Sequence, residues 1–133
     1  ASVLQFTLPG VPCVYYGDEA GLSGGEDPFN RACFPWGHEN KELLEHYKTL
    51  GRIRKLCPAF VDGEFNCISA VLGCIAYERI SDTGCALIIA NANDREIEYR
   101  VPECWRNAPA LFGKAAYGRS VSVGAHSAVI LHR

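Results

Sequence analysis

Leu8-Pro-Gly-Val-Pro-Cys-Val-Tyr-Tyr-Gly-Asp-Glu19, followed closely by Gly24-Gly-Glu-Asp-Pro-Phe-Asn-Arg31, is the most informative stretch of the chain. Pro9 and Pro12 exclude helix around them, because each lacks a backbone N–H and restricts the residue before it. They set an extended entry into Val11 to Tyr16, a continuous apolar run that predicts a parallel strand buried on both faces. Residues 1–8 read as the end of a helix stopped by Pro9-Gly10. After the strand, residues 17–37 are Gly-rich and carry Pro28 and Pro35, so they predict a long loop. Loops of that length in compact domains are usually functional or disordered.

Downstream, residues 40–56 form the clearest helix of the sequence. Asn40 is a good N-cap, and Leu43, Leu44, Tyr47, Leu50, Ile53 and Leu56 recur at three- and four-residue steps as one apolar stripe. Pro58 ends it, and the preceding strand is the natural surface for that stripe. From Phe60 onward the period changes to two. Candidate strands cover residues 63–69, 73–79, 85–92, 96–101, 109–113, 120–123 and 127–132, separated by turn signals such as Ser81-Asp-Thr-Gly84 and Asn91-Ala-Asn-Asp94. Short strands at that spacing predict an antiparallel β-sandwich. The chain thus divides near Pro58 into residues 1–57 and residues 58–133. Trp105, in a turn-like segment, reads as a lid on the sandwich core.

Composition narrows the function. The 133 residues are 48% hydrophobic and 21% charged, which suits one or two small domains. The net charge of −2 and a pI near 6.1 argue against nucleic acid or an anionic membrane as partner. No apolar stretch reaches the roughly 18 residues a spanning helix requires. The first residues lack the pattern of a signal peptide, and there is no Met. The seven cysteines are an odd number without a CxxC pair, which favours reduced thiols in a reducing compartment and lends itself to a cytoplasmic location. The four histidines show no HxxxH or HxH spacing, so neither a metal nor any other cofactor is predicted. Ser2 and Ser23 lack a GxSxG elbow.

Three residues are candidates for sugar binding. Asp27 and Arg31 lie four apart in the loop, and a carboxylate and a guanidinium can each grip vicinal hydroxyls through paired hydrogen bonds. The competing reading is an ion pair internal to the loop. Trp36, at the loop's end, offers a flat face for a sugar ring. Asp18 and Glu19 are a poor acid/base pair, because neighbours on an extended backbone point to opposite faces. Tyr15 and Tyr16 read as strand-core aromatics.

The pattern Pro-Gly-Val-Pro-x-x-Tyr-Tyr-Gly-Asp-Glu, then Gly-Gly-x-Asp-Pro-x-x-Arg, then Phe-Pro-Trp, resembles the neopullulanase and cyclomaltodextrinase branch of the α-amylase family, glycoside hydrolase family 13. The resemblance implies that residues 11–16 are the last strand of a (β/α)8 barrel, that residues 40–56 are its last helix, and that the remainder is a C-terminal sandwich domain. It implies an α-glucan oligosaccharide as ligand of the parent enzyme, with Asp27 and Arg31 as sugar contacts. A full barrel needs about 250 residues, so the chain reads as a C-terminal fragment. The family's nucleophile Asp, acid/base Glu and third Asp lie on earlier strands, and its Asn-His-Asp motif is missing from residues 1–7. No catalytic residue is therefore assigned, and the fragment is expected to be inactive alone. An apolar strand at residues 11–16 without barrel neighbours predicts self-association through that segment. The alternative is a non-catalytic sandwich that binds or scaffolds; the single Trp of residues 57–133 weakens it.

Overall fold

The computed structural model describes all 133 residues. Two helices, α1 (Ser2–Thr7) and α2 (Lys41–Leu56), precede seven strands: β1 (Glu64–Val71), β2 (Cys74–Ser81), β3 (Gly84–Asn91), β4 (Ile97–Arg100), β5 (Ala110–Phe112), β6 (Ser120–Val123) and β7 (Ser127–His132). Each predicted strand downstream of Phe60 is present. All pairs are antiparallel, in a five-stranded sheet of order β1-β2-β3-β7-β5 and a two-stranded sheet of β4 and β6.

The sandwich is lopsided, and that explains where the period of two fails. β4 and β6 alternate between more and less buried positions, as a half-exposed strand should. In β3 and β7, Ala86–Ile89 and Ala128–Leu131 are buried without interruption. Leu87, Ile89, Val129 and Leu131 meet Val121, Val123 and Trp105 on the side of the small sheet. Ile88, Ala128 and Ile130 meet Val3, Phe6, Leu50, Ile53 and Phe60 on the other side. The large sheet therefore has helices on one face and the small sheet on the other. Each fully buried Ile or Leu contributes about 1.5–3 kcal/mol, so these two strands hold the layers together.

Helix α2 begins as predicted: Asn40 Oδ1 accepts from the Leu43 N–H at 3.1 Å. Its stripe departs from the prediction at the C-terminal end. Leu50 and Ile53 are buried, whereas Leu56 is exposed and Cys57, four residues after Ile53, takes the inward position. The stripe also packs on α1 and the large sheet rather than on a preceding strand. Residues 11–16 form no strand at all. A strand needs a neighbour to satisfy its N–H and C=O groups, and no strand of this chain pairs with these residues. Only Val14 of that run packs on the core, and Tyr15 and Tyr16 are exposed instead of buried.

The C-terminus of α1 is held by a polar clamp that no local sequence pattern announces. Arg79, on the helix-facing side of β2, is 1% exposed. It donates to Thr7 O at 2.7 Å and to Gly63 O at 2.8 Å, while its Nε has no partner. Arg54 of α2 donates to Phe6 O at 2.7 Å and Gly10 O at 2.6 Å. Tyr77 OH shares a 2.6 Å hydrogen bond with Thr7 Oγ1. Burial, and then the positive charge of Arg54, push the Arg79 guanidinium below its ordinary value. On the opposite face Trp105 is fully buried, as the lid reading required, and its Nε1 donates to Glu78 Oε1 at 2.6 Å.

Candidate functional site

The loop of residues 17–37 is held at three places. Gly17 opens it at φ +89°, where an added Cβ would also sit 2.8 Å from Leu22; only glycine fits that turn. The Asn40 N–H donates to Ala20 O at 2.9 Å, fastening the loop to the start of α2. Tyr16 OH donates to Ala32 O at 2.9 Å, fastening the far end to the entry segment. Between these points short 3₁₀ turns form at Asp18–Ala20 and Phe29–Arg31.

Asp27 and Arg31 are brought together: Arg31 Nε donates to Asp27 Oδ1 at 3.0 Å across the second turn. Both remain open to solvent, with side chains 62% and 73% exposed respectively. Trp36 is 79% exposed and its ring lies against Phe34, centroids 4.5 Å apart. No hydrogen bond links Trp36 to the ion pair; its backbone N–H donates to Phe34 O at 2.9 Å. Phe29, inside the Asp-Pro-x-x-Arg motif, is also exposed, and sequence reading passed over it. An apolar side chain flanked by Pro28 and Asn30 in a polar loop was the available signal.

Asp18 and Glu19 are not on extended backbone, as sequence reading had them, but in the first 3₁₀ turn. Glu19 folds back to accept from the Gly17 N–H at 3.0 Å. Their negative charges, after burial, push the nearby Tyr47 hydroxyl up. At the loop's exit Glu39 accepts from the Gly37 N–H at 3.1 Å, and backbone hydrogen bonds hold its carboxyl below the usual range. An apolar recess of about 600 Å³ exists, but α1, His46, the β1–β2 turn and Phe112 line it, and no loop residue does. The loop is therefore an open polar and aromatic surface, suited to hydrogen-bonding and stacking rather than to enclosed chemistry.

A maltogenic α-amylase of Bacillus acidopullulyticus is 37% identical over 103 residues, which are 73% of this chain and 18% of that protein. A cyclomaltodextrinase of a Bacillus species is 40% identical over 99 residues, 71% of this chain and 18% of its own length. The chain belongs to the α-amylase family, glycoside hydrolase family 13. No family model matches it. Among solved structures, a debranching enzyme from Nostoc punctiforme superposes on this α-amylase-family chain with a TM-score of 0.87 at 29% identity, covering 99% of the chain and 30% of that enzyme. The chain thus spans about a fifth of the curated relatives it matches, and it corresponds to a C-terminal portion with a β-rich domain.

Proposed function

We propose that the chain is part of a retaining α-glucan hydrolase that cleaves α-glucosidic bonds in maltooligosaccharides, cyclodextrins or pullulan. In that enzyme residues 1–57 would be the end of the (β/α)8 barrel and residues 58–133 the terminal sandwich domain. The observation that carries the reading is the exposed Asp27–Arg31 ion pair on the loop that bears the family pattern. An exposed pair is worth only about 0–1 kcal/mol, so sugar hydroxyls can replace it at little cost. Arg31 would then donate to, and Asp27 accept from, vicinal hydroxyls, while Trp36 covers a ring face.

Chemistry belongs to the rest of the enzyme. Retaining hydrolysis needs two carboxyls about 5–5.5 Å apart across the scissile bond. Here Asp27 is engaged with Arg31 and Glu19 with the Gly17 N–H. These engagements, with the catalytic carboxyls expected on earlier strands, support the reading that the chain alone is inactive. The seven free thiols fit a reducing, cytoplasmic setting.

A chimera tests this: the present chain replaces the matching segment of the Bacillus cyclomaltodextrinase, and cyclodextrin hydrolysis is measured. Loss of one charge-assisted contact in Asp27→Ala should lower kcat/KM by about 10- to 100-fold. A folded, active chimera indifferent to Asp27→Ala and Arg31→Ala would refute the sugar role. Reducing sugar released by the purified chain alone would refute its inactivity.

A further inference from the structure

The two edges of the large sheet are built very differently. One edge is β5, three residues long, whose register against β7 slips between Ala110 and Phe112. The other is β1, eight residues long, along which every residue but Ser69 keeps a third or more of its surface in solvent, Ile68 (36%) and Phe65 (42%) among the more covered. Its sequence, Glu64-Phe-Asn-Cys-Ile-Ser-Ala-Val71, has no Lys, Arg or Pro and no charge after Glu64. Phe65, Ile68, Val71 and the turn residue Leu72 are exposed apolar side chains. A long apolar edge without such guards is a template for another strand.

We propose that the partner at this edge is a second copy of the chain, with β1 pairing antiparallel to β1 about a two-fold axis to give a continuous ten-stranded sheet. Charge favours that partner and that direction. Glu64, with Asp62 just before it, marks one end of the strand. Arg95 lines the recess at the other end together with Val71, Leu72 and Tyr99. None of Asp62, Glu64 and Arg95 enters an ion pair within the chain. An antiparallel arrangement sets the Glu64 end of each copy beside Arg95 of the other, whereas a parallel one would set Glu64 against Glu64.

The bulge in β1 fixes the register. Residues directly opposite in an antiparallel pair must share a face. Asn66 pairs with Glu78 and Ser69 with Ala76, so both stand on the side of the small sheet, although they are an odd three positions apart. The slip between Cys67 and Ser69 produces this change of parity. It lets Glu64 lie opposite Val71 of the second copy and Asn66 opposite Ser69. Cys67, exposed, then falls next to the axis and diagonal to its own copy, at a separation compatible with a disulfide.

Sedimentation equilibrium on the full chain tests the proposal, independently of the sugar reading. The wild type should dimerise, and Glu64→Arg or Arg95→Glu should each weaken the dimer by about tenfold or more, since two symmetric contacts turn repulsive. The double variant Glu64→Arg/Arg95→Glu should restore it. In a background of Cys13→Ser, Cys33→Ser and Cys104→Ser, mild oxidation should link the copies through Cys67. A folded wild type that stays monomeric at high concentration would overturn the proposal. So would a dimer that survives Ile68→Lys but is dispersed by Tyr15→Lys, which would place association at residues 11–16.

Discussion

Replacing Arg79 by Met is the most searching test of how the helical layer is attached to the sheet. The side chain lies almost wholly out of solvent and makes hydrogen bonds of 2.7 and 2.8 Å to Thr7 O and Gly63 O. Hydrogen bonds from a charged donor contribute about 1.5–3 kcal/mol each, which makes a gross loss of about 3–6 kcal/mol. Against this stands the relief of a buried guanidinium whose Nε is unpaired and whose neighbour Arg54 is also cationic. Met keeps the length and apolar contact of the stem, so a cavity term is small. The two carbonyls lose their donor, and Thr7 itself is buried. The net expectation is a loss of about 2–4 kcal/mol, or a fall in Tm of roughly 6–16 °C for a chain of this size.

Urea denaturation followed by circular dichroism measures the change, and amide hydrogen exchange locates it. Residues 2–10 should lose protection before the sheet does, because the clamp holds α1 specifically. Arg54→Met, which releases the more exposed carbonyls of Phe6 and Gly10, should cost less, about 1 kcal/mol. A variant Arg79→Met as stable as the wild type would mean that desolvation of the charge outweighs its hydrogen bonds. Even protection across the whole chain would mean that α1 and the sheet open together and that the clamp is not a local device.

Two further outcomes follow from buried or half-buried polar groups. Trp105→Phe should destabilise by about 2–4 kcal/mol, since it leaves Glu78 without its 2.6 Å donor, opens space in the core and replaces the indole beneath the Arg133 guanidinium with a smaller phenyl ring; equilibrium unfolding would detect it, and Glu78→Gln should be milder because the bond survives. His46 makes stability depend on pH: burial holds its pKa below the ordinary 6.5. The unfolded chain therefore binds the proton first, so stability is full above about pH 6.5 and is lost as pH falls through the folded value. His46→Phe should flatten the Tm profile between neutral and mildly acidic pH, and an unchanged slope would assign it to other groups.

Much of this fold could be read from local signals. The cap at Asn40, the stop at Pro58 and the turn signals between strands act within a few residues of themselves, so helix α2 and all seven strands were legible. The loop glycines and the spacing of Asp27 and Arg31 were legible for the same reason, and the ion pair forms across one turn as that spacing permits. One hairpin was less clear. Leu72 and Gly73 both adopt positive φ, 51° and 74°, in a two-residue turn where leucine carries no turn signal. Asn93, whose side chain donates to Leu72 O at 2.9 Å, supports that conformation from across the fold.

Whatever needs a distant partner was decided by the tertiary structure alone. Residues 11–16 have every local mark of a buried strand, yet pairing requires a neighbour that this chain does not supply, so Tyr15 and Tyr16 face solvent. Leu56 fits the apolar stripe of α2, but the sheet ends its contact at Ile53 and Cys57. Arg79 looks like an ordinary strand residue until α1, seventy-two residues earlier, lays Thr7 O against it. Sequence thus determined which segments curl and which extend, because those preferences are local in the backbone. Burial, the polar clamp and the exposed edge of β1 depend on which surfaces meet, and only the folded arrangement of layers determines that.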